Sequence, residues 1–213
     1  MAIKLRNICK NYGDKQVLKN VNLTINPGEI TCIMGASGIG KTTLVNIIAR
    51  LLAPDSGEIL WYDGPYYIDS SSGTGSAKRI TPETQYKCSI VFQEDRLLDW
   101  ETALTNVLFV ASPTSQYTQK AKQLLTQAGL ADSIYKKAAE LSGGMKRRVC
   151  ICRALISNHD LLILDEPFKG LDGETKPIIM TMIKRYLQKN KYVICITHEH
   201  SEVEFLQGRL IHL

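Results

Sequence analysis

Two groups of residues in this chain have the types and spacing for phosphate chemistry. The first is Gly35-Ala36-Ser37-Gly38-Ile39-Gly40-Lys41-Thr42, which matches GxxxxGK[ST] in full. Its glycines let backbone N–H groups close around phosphate oxygens, and a helix opening at Lys41 adds partial positive charge there. In such a loop the lysine reaches the β- and γ-phosphates, and the Thr42 hydroxyl can ligate Mg²⁺. The second group is Asp165-Glu166, which ends the apolar run Leu161-Leu162-Ile163-Leu164. Ligands of open α/β sheets bind at the carboxyl ends of strands. Asp165 is therefore placed to hold Mg²⁺, directly or through water, and Glu166 to polarise an attacking water as a general base.

These residues need a scaffold. The run Ile30-Thr31-Cys32-Ile33-Met34 reads as a buried strand feeding the glycine loop, and a helix follows from Lys41 to Leu52 with Leu44, Ile47, Ile48, Leu51 and Leu52 at helical spacing. Upstream, Val21, Leu23 and Ile25 alternate with Asn22 and Thr24, and Asn26-Pro27-Gly28 reads as a type II turn. Strands are expected over Glu58–Tyr62, Cys88–Phe92, Leu161–Leu164 and Tyr192–Ile196. The stretch from about Thr102 to Glu140 reads as helical, with Ala121, Leu124, Leu125 and Ala128 on one face and Gly129 as C-cap. Further helices are expected after Ser142 and over Pro177–Asn190. Ser70 to Ser76 has the composition of a loop. Strands apolar throughout, separated by amphipathic helices, imply a parallel sheet covered on both faces, with an antiparallel edge at the start.

The chain has 213 residues, 44% hydrophobic and 22% charged, with 26 basic and 21 acidic side chains. That is the composition of a globular domain with a sizeable core, and it excludes collagen-like repeats and extended disorder. A net charge of +5 implies little beyond solubility. No run approaches the ~18 apolar residues of a membrane span, and Met1 to Lys10 has no apolar signal core. The chain is thus expected in the cytosol, meeting a membrane only through a partner. Cys9, Cys32, Cys88, Cys150, Cys152 and Cys195 contain no CxxC pair and read as buried free thiols. Lys146-Arg147-Arg148 reads as a solvated helix face, and His159 and His212 as surface or packing residues.

Leu141-Ser142-Gly143-Gly144-Met145, with the phosphate loop and the strand ending in Asp165-Glu166, resembles the motif set of the ATP-binding-cassette (ABC) transporter ATPases. The resemblance spans nearly the whole chain. It implies a P-loop NTPase cassette: an α/β fold with a mostly parallel core sheet, an antiparallel β edge subdomain and a small helical lobe. The single ATPase domain would cover 1–213, with the core and antiparallel part at about 1–92 and 158–213 and the helical lobe at about 94–157. By resemblance Tyr12 stacks on adenine, and residues Gly35 to Thr43 hold the phosphates of ATP. Thr42, Gln93 and Asp165 would hold Mg²⁺, while Glu166, His198 and Gln93 would serve hydrolysis. Ser142, Gly143, Gly144 and Asp172 would reach nucleotide shared with a second ABC ATPase subunit, most simply in a homodimer. His198 with His200 offers a zinc pair, but only two ligands of a tetrahedral set.

Phe92-Gln93-Glu94-Asp95-Arg96-Leu97-Leu98-Asp99-Trp100 is similar to the corresponding segment of the nitrate, taurine and aliphatic-sulfonate importers. The resemblance therefore implies a solute importer working with transmembrane permease subunits and a solute-binding protein, at the cytoplasmic face of the membrane and without nucleic acid. The alternatives are the cassette of an exporter or lipoprotein-releasing complex, or a non-transport ABC ATPase. The chain departs from the family pattern at Asp99, where proline is usual, at Lys169-Gly170 in place of Ser-Ala, and at Glu199 in place of Asp. The 65–87 segment is longer and the helical lobe shorter than the family's usual lengths.

Overall fold

The computed structural model describes residues 2–61, 64–67, 87–112, 114–187 and 191–213. The Ser70–Ser76 loop and residues 188–190 of the expected Pro177–Asn190 helix lie outside the described residues, as does the expected end of the Glu58–Tyr62 strand at Tyr62.

The apolar runs form one five-stranded parallel sheet. Its strands are β3 (Ile30–Met34), β6 (Cys88–Val91), β7 (Leu161–Asp165), β8 (Tyr192–Ile196) and β9 (Arg209–His212), in the order β6-β7-β8-β3-β9. β3, β7 and β8 are buried at every position, as strands covered on both faces must be. Side chains alternate across this sheet. Cys32, Leu162, Leu164, Val193 and Cys195 join one core cluster, and Ile33, Leu161, Ile163, Ile194 and Ile196 join the other.

The second cluster is closed by an antiparallel sheet of β1 (Ile3–Tyr12), β2 (Lys15–Ile25), β4 (Ser56–Trp61) and β5 (Gly64–Tyr67), in the order β2-β1-β4-β5. Leu18, Leu23 and Ile25 of β2 point into it. Gly28 has φ 79°, as the third position of a type II turn requires. Helix α1 (Lys41–Ile48) packs Leu44, Ile47 and Ile48 into the same cluster. It is shorter than its apolar spacing predicts, because Arg50 adopts a left-handed φ of 60° and closes it, leaving Leu51 61% exposed.

The first cluster is covered by helices. The expected helical stretch over 102–140 resolves into α2 (Ala103–Leu108), α3 (Ser115–Gln127) and two single 3₁₀ turns, Ala131–Ser133 and Ala138–Glu140. Thr102 and Thr114 cap α2 and α3 with side-chain oxygens. Ala121, Leu125 and Ala128 are buried, and Gly129 ends α3 at φ 71°. Helix α4 (Gly143–Ile156) follows Ser142, whose Oγ accepts the Met145 N–H at 3.3 Å. Helix α5 (Thr175–Tyr186) starts two residues before Pro177, because Asp172 Oδ1 accepts the free N–H groups of Glu174 and Thr175. Helix α6 (His200–Leu206) and strand β9 complete the fold and stand outside the elements read from sequence. None of the six cysteines is in a disulfide, and Cys9 and Cys88 are partly exposed while the others are buried.

Candidate active site

Four neighbouring strands of the parallel sheet deliver the site. Beyond the carboxyl end of β3 lies the glycine loop. Beyond β6 lies Gln93, beyond β7 lies Glu166 and beyond β8 lies His198. The sheet order β6-β7-β8-β3 thus brings together residues up to 163 positions apart in the chain.

The loop wraps its lysine. Lys41 is buried, and its Nζ donates to the carbonyls of Gly35 at 2.9 Å and Ala36 at 3.0 Å. These bonds hold the ammonium at the centre of the loop. Gly38 and Gly40 have φ of 76° and 111°, which favour glycine. At Gly40 a Cβ would also meet Val17 and Leu18 side chains at 2.8 Å. A cavity of about 260 Å³ opens over the loop, lined by Ser37, Lys41, Thr42, Thr43, Gln93 and Glu166. Val17 of β2 lines it too, and no motif marks that residue. Tyr12 is not among the lining residues. It sits at the tip of the β1–β2 hairpin, 52% exposed, with Lys10 Nζ 5.9 Å from its ring centroid.

The Thr42 hydroxyl donates to Asp165 Oδ2 at 2.9 Å. Burial raises the Asp165 carboxyl above its ordinary range by more than the Thr42 bond lowers it. Among the described residues no three His, Cys, Asp or Glu side chains gather as a metal cage. What Thr42, Asp165 and Gln93 offer is a set of oxygen donors, the set that suits Mg²⁺ shared with substrate phosphates.

Glu166 is held at a left-handed φ of 48°. Its Oε1 faces His198 Nε2 at 3.0 Å, and its Oε2 accepts from Gln93 Nε2 at 3.4 Å and pairs with Lys169 Nζ at 3.4 Å. Burial alone would raise this carboxyl, but the His198 and Lys169 contacts outweigh it and hold it below the usual range. Glu166, Gln93 and His198, scattered in sequence, therefore meet around one carboxylate. A second cavity of about 380 Å³ adjoins the first and is lined by Ser37, Gln93, Glu166, Lys169 and His198. His198 faces Glu166, while His200 lies 6.3 Å from the ring of His212, so the two do not form a metal pair.

Ser142, Gly143, Gly144 and Asp172 line neither cavity. Ser142, Gly143 and Asp172 are exposed and Gly144 is half-buried, and a Cβ on Gly144 would come within 3.0 Å of the Gly170 carbonyl. The hydrogen bonds from Thr175 and Glu174 hold the exposed Asp172 carboxyl below its usual range.

Lys146-Arg147-Arg148 is not a solvated face. Arg147 is buried, donates to the carbonyls of Phe92 (2.6 Å) and Gln93, and pairs with Asp95 at 3.2 Å. One and two turns further along α4, Cys150 donates to the Asp95 carbonyl at 2.6 Å and Arg153 to the Arg96 carbonyl at 3.0 Å. Helix α4 therefore grips the backbone of 92–96 along its length. Arg148 donates to the Ala128 carbonyl at the end of α3 (2.8 Å), and Lys146 pairs with Asp99 at 3.2 Å. The sequence signals basic residues here but not their targets, which are backbone carbonyls together with the Asp95 and Asp99 carboxylates.

A family model described as "ABC transporter" matches residues 18–169. The bicarbonate transport ATP-binding protein of Synechocystis sp. is 38% identical, over 98% of this chain and 73% of its own length. The aliphatic sulfonates import ATP-binding protein of Pectobacterium atrosepticum is also 38% identical, over 96% of this chain and 71% of its own. Among solved structures, a dimeric ATP-binding cassette in a post-hydrolysis state with ADP and Pi superposes with TM-score 0.79 at 31% identity, covering 99% of this chain and 94% of that one.

Proposed function

The chain belongs to the ABC transporter family as an ATP-hydrolysing subunit, and we propose that it is the motor of a membrane importer, working as two cassettes with ATP sandwiched between them. The observation that carries this reading is the meeting of Gln93, Glu166 and His198 over the glycine loop, at the carboxyl ends of four adjacent strands.

In this reading the N–H groups of Gly38 to Thr43, the α1 N-terminus and Lys41 bind the phosphates. Tyr12, exposed on the hairpin tip, closes onto the base. Glu166 accepts the proton of the attacking water, while Gln93 and His198 orient that water and the terminal phosphate. Thr42, Asp165 and Gln93 would hold Mg²⁺, which would neutralise charge on the phosphate oxygens. Ser142, Gly143, Gly144 and Asp172 face outward because their nucleotide sits on a second copy of this chain.

Residues about 94–157 act as the helical lobe and the rest as the core. Within the lobe Trp100 and Phe109 are 69% and 70% exposed, and they offer apolar surface to transmembrane permease subunits. No helix among the described residues is long and apolar enough to cross a membrane. In this reading the permease holds the chain at the cytoplasmic face. The relatives named for bicarbonate and sulfonates point to a small anionic solute, delivered by a solute-binding protein. No feature among the described residues calls for nucleic acid.

Size and turnover of Glu166→Gln beside the wild type, with and without Mg-ATP, test the motor. A variant that dimerises on ATP and loses turnover is expected. A variant that turns over at the wild-type rate would overturn the base assignment.

A further inference from the structure

Lys169 alone among the side chains that touch Glu166 has no part in the mechanism above. Its loop is tightly built. Lys169 N–H donates to the Glu166 carbonyl at 3.3 Å, Leu171 N–H to the Phe168 carbonyl at 3.2 Å, and Phe168 is buried beneath them. Gly170 turns the chain at φ 76°. This geometry projects the Lys169 side chain over the second cavity, where it is 64% exposed and touches Glu166 Oε2 at 3.4 Å.

Other acids share that cavity. Glu199 and Glu202 both line it. Each is already paired with Lys176 at 2.6 Å, and Glu202 also accepts the Thr197 hydroxyl. Asp165 is engaged by Thr42. Glu166 is thus the acid left for Lys169. Oε2 then carries two donors, Gln93 and Lys169, while Oε1 carries one, His198. A water that is to lose its proton to Oε2 must displace a donor there.

We propose that Lys169 is a positioning residue that keeps Glu166 engaged in the resting cassette and swings into solvent to release it for hydrolysis. This rests on Glu166 being the base. The pair is weak enough to open on each cycle. Exposed ion pairs contribute about 0.2–1 kcal/mol, and releasing one speeds a step up to about five-fold.

Steady-state ATP hydrolysis by the full chain tests it. Lys169→Ser is expected to raise kcat about two- to five-fold with KM for Mg-ATP unchanged, and Lys169→Arg, which keeps the cation, to retain the wild-type kcat. A Lys169→Ser kcat at or below wild type, or a Lys169→Arg kcat equal to that of Lys169→Ser, would overturn the proposal. Glu166→Gln run alongside keeps the two readings apart. Undiminished turnover in that variant defeats the base assignment, whereas an unresponsive Lys169→Ser beside an inactive Glu166→Gln defeats only the role of Lys169.

Discussion

Thr42 and Asp165 stand 123 positions apart in the chain, yet the hydroxyl of one donates to the carboxylate of the other at 2.9 Å. That bond ties the first turn of α1 to the end of β7. It places a hydroxyl and a buried, raised carboxyl at the edge of the phosphate cavity. Asp165→Asn keeps the shape and the Thr42 contact but removes the charge. Nucleotide affinity measured in EDTA should be unchanged, while its strengthening by Mg²⁺ should be lost. Full Mg²⁺ dependence in the variant would show that Asp165 does not serve the metal.

Lys41→Ala should weaken ATP binding by at least about ten-fold, since charge-assisted hydrogen bonds are worth about 1.5–3 kcal/mol each. The fold should tolerate it, because Gly35 is half-buried and Ala36 exposed, so water can take the place of the donor their carbonyls lose. Equilibrium binding of ATP to the variant is the check, and wild-type affinity would remove Lys41 from the phosphate site.

Arg147→Met removes a buried cation from the half-buried Asp95 carboxylate and from two carbonyls. Hydrogen bonds to charged groups are worth about 1.5–3 kcal/mol each, so losing two lowers Tm by roughly 10 °C in a chain of this size. Thermal unfolding measures it. A Tm within 2 °C of wild type, by order of magnitude less than one such contact, would mean that the grip of α4 on residues 92–96 is carried elsewhere.

His159 is buried, hydrogen-bonded to Ser157 Oγ at 2.9 Å and stacked on Tyr186 at 5.2 Å. Burial pulls its pKa from 6.5 to about 4, helped by the Lys191 charge. Between those values the unfolded chain binds a proton that the folded chain does not, so stability rises with pH across this window and levels above it. At pH 5 the cost is about 2 kcal/mol. His159→Gln should flatten the difference in denaturant stability between pH 5 and pH 7 by that amount. An equal slope in both proteins would mean that other groups set it.

The legible parts of this molecule are those whose cause is local. The glycine loop, Asp165-Glu166 and the four apolar strands carry their signals in consecutive residues, and the sheet forms where those strands meet. Strand β9 escapes because it has four residues of mixed exposure and pairs only along β3. Helix α6 has seven residues and too short a face to show a period. Arg147 reads as a surface cation because its partners, the Asp95 carboxylate and two main-chain carbonyls, lie 52 to 55 positions away, beyond the reach of any local pattern. Val17 is an ordinary strand residue until the loop folds against it.

The pairing of β3 also governs when this protein comes into being. β3 ends at Met34, but its two neighbours begin at Tyr192 and Arg209. At about 5–20 residues per second, the ribosome finishes β3 roughly 8–30 s before β8 appears. Through that interval the strand that feeds the nucleotide loop has no ladder partner in the parallel sheet, and such long-range pairing is slow. A nascent or truncated chain therefore cannot present an assembled loop. Competence to bind nucleotide is withheld until translation has passed the far strands, and a fragment that lacks them carries an unpaired edge open to pairing with other chains.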